Sequence, residues 1–287
     1  MRYKMSINGK LVEGVSTVGV EDPATGAVFE QCPIADEVQL DRAVSAAKAA
    51  FPAWAKRTYA DRGVSLDELA DAIEENAGKM ATLLTREQGK PLSAAHEEID
   101  WSIAFLRFSA TQDLPDKTVR DNETELIVET RTPLGVVAAI TPWNYPVLML
   151  VMKIGPALLS GNTVVAKPAP NTPLTTLFLG ELALSVLPAG VLNVITITDD
   201  LGTKLTCHPD VAKVSFTGST RTGIYVLQSV SRTLAQRVQT GTMWINSHMN
   251  FSFDVPLGGA EQSGMGVQLE QEGLEEFTQL KVISAVR

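Results

Sequence analysis

From about residue 123 the chain alternates short runs of β-branched, apolar residues with helical patterns. The runs lie at residues 135–140, 163–167, 192–198 and 213–217. The helical patterns between them lie at about residues 146–159, 173–187 and 201–206. Parallel strands joined by crossover helices produce this order, and right-handed crossovers cover both faces of the sheet. The sequence therefore predicts an α/β fold with a doubly wound parallel sheet, whose ligands bind beyond the carboxyl ends of the strands.

The residues before this alternation predict small strands followed by helices. Residues 6–12 form a strand candidate with a turn at Asn8-Gly9. Asp36 has the chemistry of an N-cap for a first helix, and Pro91 opens a third. Between them, apolar residues recur at spacings of three and four and predict a second helix with one apolar face. These residues are Leu66, Leu69, Ile73, Ala77 and Met80.

The composition indicates a globular protein without nucleic-acid or membrane partners. The 287 residues include 24 Lys and Arg and 33 Asp and Glu, which gives a formal net charge of −9. An acidic chain without a basic cluster does not favour DNA, RNA or an anionic membrane. The most apolar stretch, residues 135–167, is interrupted by Pro142, Pro146, Lys153 and Pro156, so no membrane span is predicted. Two cysteines provide neither a disulfide framework nor a structural zinc site, so we expect no metal and a reducing, cytoplasmic location.

Three predicted strand ends carry residues with the chemistry of ligand binding. Lys167 can donate to ribose hydroxyls or attract a phosphate, although most lysines are solvated surface residues. Gly218 and Ser219 open a helix whose N–H groups attract phosphate, but the same sequence is typical of a simple N-capped helix. Two prolines fix the chain around Trp143 and Asn144. An Asn144 amide held in this loop can donate a hydrogen bond to an oxyanion that develops in a reaction. The alternative interpretation is a rigid loop with a tryptophan that only packs.

These strand ends belong to a set of motifs that resembles the aldehyde dehydrogenase superfamily over nearly the whole chain. The motifs are Pro142-Trp143-Asn144-Tyr145-Pro146 and residues 161–168, 187–194, 214–220, 239–246, 256–259 and 263–266. The resemblance implies a Rossmann-like domain that binds NAD or NADP. It also implies the family reaction, in which a cysteine thiolate attacks an aldehyde and hydride passes to the nicotinamide. A glutamate then activates the water that releases the acid.

The resemblance also implies roles for residues at the strand ends. Asn144 matches the family's oxyanion-stabilising asparagine, and Lys167 matches the lysine that binds the adenosine ribose. The other matching cofactor positions are Ile140, Pro142 and Trp143, then Gly218 and Ser219 at the pyrophosphate, and Gly202, Phe216 and Thr222 near the adenine. Pro170 stands where many members have a glutamate that holds the ribose diol, so the choice between NAD and NADP stays open.

The same comparison with the family predicts that most of the catalytic domain is absent. After Gly223 a family member continues into a domain that carries the base and the nucleophilic cysteine. Here residues 224–228 lead almost directly into residues 229–240, which resemble the helix beyond that domain. We therefore expect weak NAD(P) binding without aldehyde oxidation. Two alternatives stay open: an active oxidoreductase that uses Cys207 as a non-family nucleophile, and a non-catalytic subunit that pairs with full-length relatives.

Two domains and an oligomer are expected. Residues 1–226 form the NAD(P)-binding domain, with a hairpin at about residues 120–135. Residues 227–287 combine a remnant of the catalytic domain with a C-terminal strand. In the family this hairpin and this strand build subunit contacts, so the resemblance implies a homo-oligomer, a dimer or larger. Loss of the catalytic domain should also expose apolar surface.

Overall fold

Two antiparallel hairpins begin the chain. The computed structural model describes residues 3–230, 257–258, 267–268 and 270–286. β1 (Met5–Ile7) and β2 (Lys10–Val12) are joined by Asn8 and Gly9, both with positive φ, so the predicted turn is confirmed and divides the strand candidate in two. β3 (Ser16–Asp22) pairs with β4 (Ala27–Ile34).

Four helices follow, one more than predicted. They are α1 (Glu37–Ala55), α2 (Tyr59–Glu75), α3 (Ala77–Gln88) and α4 (Leu92–Ala110). Asp36 caps α1 as predicted, because its carboxylate accepts the Gln39 N–H at 2.8 Å. The apolar stripe of the predicted second helix is divided at Asn76. The Asn76 side-chain amide donates to the Ala72 carbonyl at 2.9 Å and replaces the backbone donor there, which ends α2.

The central sheet is formed by the alternating segment together with the first hairpin. After the hairpin of β5 (Lys117–Asp121) and β6 (Glu125–Pro133) come four parallel strands, each followed by a helix. They are β7 (Val136–Ile140), α5 (Pro146–Leu159), β8 (Thr163–Lys167), α6 (Leu174–Ala183), β9 (Leu192–Val194), α7 (Asp199–Thr206), β10 (Val211–Phe216) and α8 (Thr220–Val230). The strand order is β10-β7-β8-β9-β1-β2, with β1 and β2 antiparallel. The predicted α/β fold with a mostly parallel sheet is confirmed.

Helices cover both faces of this sheet. α5 packs on β7 and β8, and α6 packs on β9 and beside α5. α1 crosses the same strands and is joined to α7 by the ion pair between Glu37 and Lys204. All residues of β7 and β8 are buried, as strands covered on both faces must be.

One strand is shorter than its apolar run predicts. β9 ends at Val194, whereas the run continues to residue 198. Beyond it, the Thr196 carbonyl accepts the Ala35 N–H at 2.8 Å and the Thr196 hydroxyl donates to the Pro33 carbonyl. The chain therefore leaves the sheet to bond with the segment between β4 and α1.

The described C-terminal residues form one short strand pair and add a third strand to the β5–β6 hairpin. β11 (Leu257–Gly258) pairs with β12 (Val267–Gln268), and after α9 (Glu270–Glu275) comes β13 (Thr278–Val286). β13 pairs with β6 along its whole length, in a three-stranded sheet of order β13-β6-β5. No helix among the described ranges combines the length and the apolar character that a membrane crossing needs.

Candidate functional site

The order in which the chain adds successive parallel strands to the sheet reverses between β7 and β10. The chain moves from β7 to β8 to β9 on one side, and α7 then returns it to the other side of β7. At such a reversal the loops that leave the two neighbouring strands diverge, and the crevice between them is where sheets of this type bind ligands. Here the two loops are residues 141–145 after β7 and residues 217–219 after β10.

Three residues predicted from the sequence meet in one row at this carboxyl edge. Ile140 is in register with Lys167 on one side and with Phe216 on the other. The ladder extends one residue further, because the Thr217 N–H donates to the Ile140 carbonyl at 3.1 Å and the Thr141 N–H to the Lys167 carbonyl at 3.2 Å. The first residue of each loop is therefore held to the sheet by a backbone hydrogen bond.

The first loop presents an aromatic ring and an amide. Pro142 is half-buried, whereas Trp143 is 54% exposed and Asn144 is exposed. Both side chains are accessible to a ligand in the crevice.

The second loop brings backbone close to an aromatic ring. A Cβ on Gly218 would stand 2.5 Å from Cζ of the Phe216 ring, so a larger residue there would have to displace that ring. Ser219 caps α8, since its hydroxyl oxygen accepts the Thr222 N–H at 3.2 Å and lies 3.0 Å from the Thr222 hydroxyl. The simple N-cap interpretation of this motif is thus correct in geometry.

Lys167 is buried, contrary to the alternative of a solvated surface lysine. It is 7% exposed, and its ammonium lies 3.4 Å from the Pro168 carbonyl. Burial lowers the pKa of Lys167, and the nearby carboxylate of Asp199 opposes that shift. Asp199 begins α7, which brings Gly202 of the same helix to this edge; a Cβ there would meet no atom within 4 Å.

Two polar groups beneath the crevice are not predicted as site residues. Lys153 of α5 is buried and donates to the Thr217 hydroxyl at 2.7 Å. Burial, reinforced by the charge of Lys213, lowers the pKa of Lys153 to about 7. The Thr141 hydroxyl is buried and has no hydrogen-bond partner among the described residues. The sequence signal for Lys153 is a charged residue within an otherwise apolar helix. From the sequence alone it counts only as an interruption of the apolar stretch at residues 135–167.

The comparison with known proteins identifies the family. The sequence profile of the aldehyde dehydrogenase family matches residues 12–236 and, separately, residues 228–283. This chain belongs to the aldehyde dehydrogenase family. Aldehyde dehydrogenase LUC3 of a Fusarium species is 40% identical over 213 residues, which are 74% of this chain and 45% of that protein. Glutarate-semialdehyde dehydrogenase of Pseudomonas putida is 37% identical over 238 residues, which are 80% of this chain and 50% of that protein.

Solved structures of aldehyde dehydrogenases share the fold described above. PnpE in complex with nicotinamide adenine dinucleotide has a TM-score of 0.76 at 36% identity, over 80% of this chain and 48% of that chain. This aldehyde dehydrogenase family member spans about half the length of the curated relatives it matches. The motifs at residues 239–246 and 263–266 lie outside the described residues, as do Pro256 and Gly259 of the motif between them.

Of the two cysteines of this aldehyde dehydrogenase family member, Cys207 lies away from the crevice and Cys32 is a buried thiol. Cys207 follows α7 and precedes β10, whose first residue lies beside Val136 at the amino edge of the sheet. A strand of five residues spans about 13 Å, so the sheet itself separates Cys207 from the loops at the carboxyl edge. Cys32 is buried in β4, and burial raises its pKa to about 12, which keeps it a thiol. The geometry therefore does not support the alternative of Cys207 as a nucleophile at this site.

The described part of the chain holds no group of three or more His, Cys, Asp or Glu side chains arranged to bind a metal ion. The chemistry available at the crevice is that of hydrogen-bond donors, a buried lysine, an aromatic ring and backbone N–H groups. These groups suit an elongated ligand with ribose and phosphate parts.

Proposed function

We propose that this chain is an aldehyde dehydrogenase family protein that binds NAD(P) at the carboxyl edge of its sheet and does not itself oxidise aldehydes. The observation that carries the proposal is the row Lys167–Ile140–Phe216, with one ligand-binding loop on each side of the reversal between β7 and β10. Family membership and the NAD complex of PnpE support a dinucleotide as the ligand.

Each half of the dinucleotide has groups suited to it. Lys167, at the carboxyl end of β8 beside Ile140, would donate to the adenosine ribose, and Gly202 and Thr222 lie in helices that begin near this edge. The turn at Gly218 and Ser219 opens α8, whose positive end suits the pyrophosphate. Pro142, Trp143 and Asn144 would contact the nicotinamide half, which would supply a hydride acceptor when bound.

Two observations support the absence of the catalytic step. The family profile matches the chain in two pieces, residues 12–236 and 228–283, and the curated relatives match this chain over about half of their own length. This pattern is expected if an internal segment with the nucleophile and the base is missing. Cys207 lies at the opposite edge of the sheet from the crevice, and burial raises the pKa of the Cys32 thiol to about 12. Without the facing domain the nicotinamide half loses one wall, so we expect weak binding.

Dinucleotide binding is tested by calorimetric titration at millimolar NAD and NADP. We expect binding heat for the wild type, and an affinity at least about tenfold lower for Lys167→Met, because one buried donor to the ligand is lost. Methionine keeps the length of the side chain, and removal of a buried ammonium does not threaten the fold. Lys10→Met, an exposed position on β2 at the far edge of the sheet, is the matched control and should bind as the wild type does. Absence of heat with both dinucleotides in the wild type would refute the proposal, and so would turnover of an aldehyde that disappears in Asn144→Ala.

We further propose that residues 1–226 act as the cofactor-binding unit and that the chain assembles as a homo-oligomer. The hairpin β5–β6 and the long strand β13 form a separate sheet whose β5 side chains are all exposed, including Val119. Apolar surface on an exposed edge strand favours pairing with another chain. Light scattering at micromolar concentration should give a mass of at least two chains, and a mass near 30.9 kDa would contradict the assembly.

A further inference from the structure

A buried ion pair lies directly behind the loop that carries Trp143 and Asn144. Glu98 of α4 is fully buried, and its carboxylate pairs with the ammonium of Lys90, which is 10% exposed. Lys90 follows Gly89, the left-handed C-cap of α3. Neither residue belongs to the crevice, and both come from a part of the chain about fifty residues away from the loop.

This pair contacts consecutive residues along the loop. The Lys90 ammonium donates to the backbone carbonyl of Asn144 at 2.9 Å and lies 4.0 Å from the centre of the Tyr145 ring. The Glu98 carboxylate accepts the N–H groups of Val147 and Leu148 at 2.9 and 3.2 Å. The chain is therefore held from Asn144 to the first turn of α5.

Within the described ranges the first turn of α5 has no other side-chain cap. Pro146 has no N–H, and the Tyr145 side chain makes no capping bond. Glu98 supplies from another helix what an N-cap residue normally supplies, and its negative charge lies at the positive end of α5. Lys90 balances that charge, so the two side chains act as one unit.

The Asn144 amide depends on this support. Among the described residues no hydrogen bond holds the Asn144 side chain, so its direction is set by the backbone that carries it. The carbonyl bonded by Lys90 is the carbonyl of Asn144 itself. Loss of this bond would free the peptide that follows Asn144, and with it the amide.

We propose that Lys90 and Glu98 are positioning residues that fix the 141–145 loop and thereby aim Asn144 and Trp143 at the nicotinamide half of the dinucleotide. The inference rests on the proposed function, since it concerns the same ligand. The two residues touch no part of that ligand and act through the loop. Lys167, which would bind the adenosine half, lies at the end of β8, outside the loop that the two residues contact.

The test compares NAD with ADP, which lacks the nicotinamide half, in calorimetric titrations of the wild type and Lys90→Met. In the wild type NAD should bind more tightly than ADP. In Lys90→Met the NAD affinity should fall until the ratio of the two affinities is about one, while ADP affinity stays within about twofold of the wild type. Lys90→Arg, which keeps a cation and a donor, should restore most of the NAD preference.

A second variant keeps the test decisive if Lys90→Met does not fold. The double variant Lys90→Met with Glu98→Gln removes both charges, which is far less costly than one unpaired buried charge. The same loss of NAD preference is expected there. An equal loss for NAD and ADP, or no loss, would overturn the positioning role while the proposed function stands. If the wild type binds neither ligand, the proposed function and this inference fail together.

Discussion

Lys153→Met is expected to abolish a rise in stability that the wild-type protein shows as the pH increases from about 7 towards 10.5. Lys153 is buried in α5, and its pKa falls from the ordinary 10.5 to about 7 in the folded protein. Between pH 7 and 10.5 the Lys153 side chain is protonated in the unfolded chain but neutral in the folded chain. Raising the pH therefore raises the free energy of the unfolded state relative to that of the folded state. The slope is about 1.4 kcal/mol per pH unit, and the whole window corresponds to at most about 5 kcal/mol.

Urea unfolding at pH 7, 8 and 9 measures this slope. The cost of the buried ammonium is largest at and below pH 7, so Lys153→Met should be more stable than the wild type there. We expect a gain of a few kcal/mol, reduced by the loss of the hydrogen bond to the Thr217 hydroxyl. The advantage should shrink as the pH rises. Lys10→Met, on the exposed surface of β2, should keep the wild-type slope. Equal slopes for all three proteins would show that Lys153 does not titrate in this window.

Asn162→Ala is expected to destabilise the protein by roughly 4 kcal/mol, because buried backbone groups that lose a partner cost about 1–3 kcal/mol each. Asn162 is fully buried after α5. Its side-chain oxygen accepts the N–H groups of Leu134 and Gly135 at 2.7 and 2.9 Å. Its side-chain nitrogen donates to the Ala157 carbonyl at 3.2 Å and to the Phe277 carbonyl at 2.8 Å. One amide thus joins the link before β7, the end of α5 and the start of β13.

Chemical denaturation and hydrogen exchange test this prediction together. Asn76→Ala is the matched control, since the half-buried Asn76 amide donates only to Ala72, and its loss should cost about 1 kcal/mol. In Asn162→Ala, amides of β13 and β6 should exchange faster because the tether at Phe277 is lost. A cost within 1 kcal/mol of that of Asn76→Ala would mean that solvent or neighbouring groups replace the lost bonds.

The parallel sheet was predictable because each of its strands is a local signal. β7 and β8 are continuous runs of β-branched and small apolar residues, and their bounds agree with the sequence pattern. The attachment of β1 to this sheet was not predictable, since it depends on one distant register between Ser6 and Val194. The break at Asn76 was missed for a related reason: apolar periodicity continues across it, and only a side-chain bond to Ala72 ends the helix.

The site shows the same division between local and distant information. Lys167 was predicted from its place at a strand end, whereas Ile140 and Phe216 were predicted only from the resemblance to the family; the register brings the three into one row. Lys90, Glu98 and Lys153 were not predicted as site residues, since most charged side chains are solvated and only the tertiary structure shows which are buried. Their partners lie on other segments of the chain, and no spacing rule connects Lys90 with Asn144.

The support of the 141–145 loop by Lys90 and Glu98 limits how this fold can be reused in protein engineering. A designer who grafts the strand–loop–helix unit of β7 and α5 onto another scaffold would transfer Asn144 but leave behind the groups that orient it. The smallest transferable piece must also include the start of α4 and the residue after Gly89. Sequence libraries that aim to alter ligand preference should accordingly keep Lys90 and Glu98 constant while the crevice itself is varied.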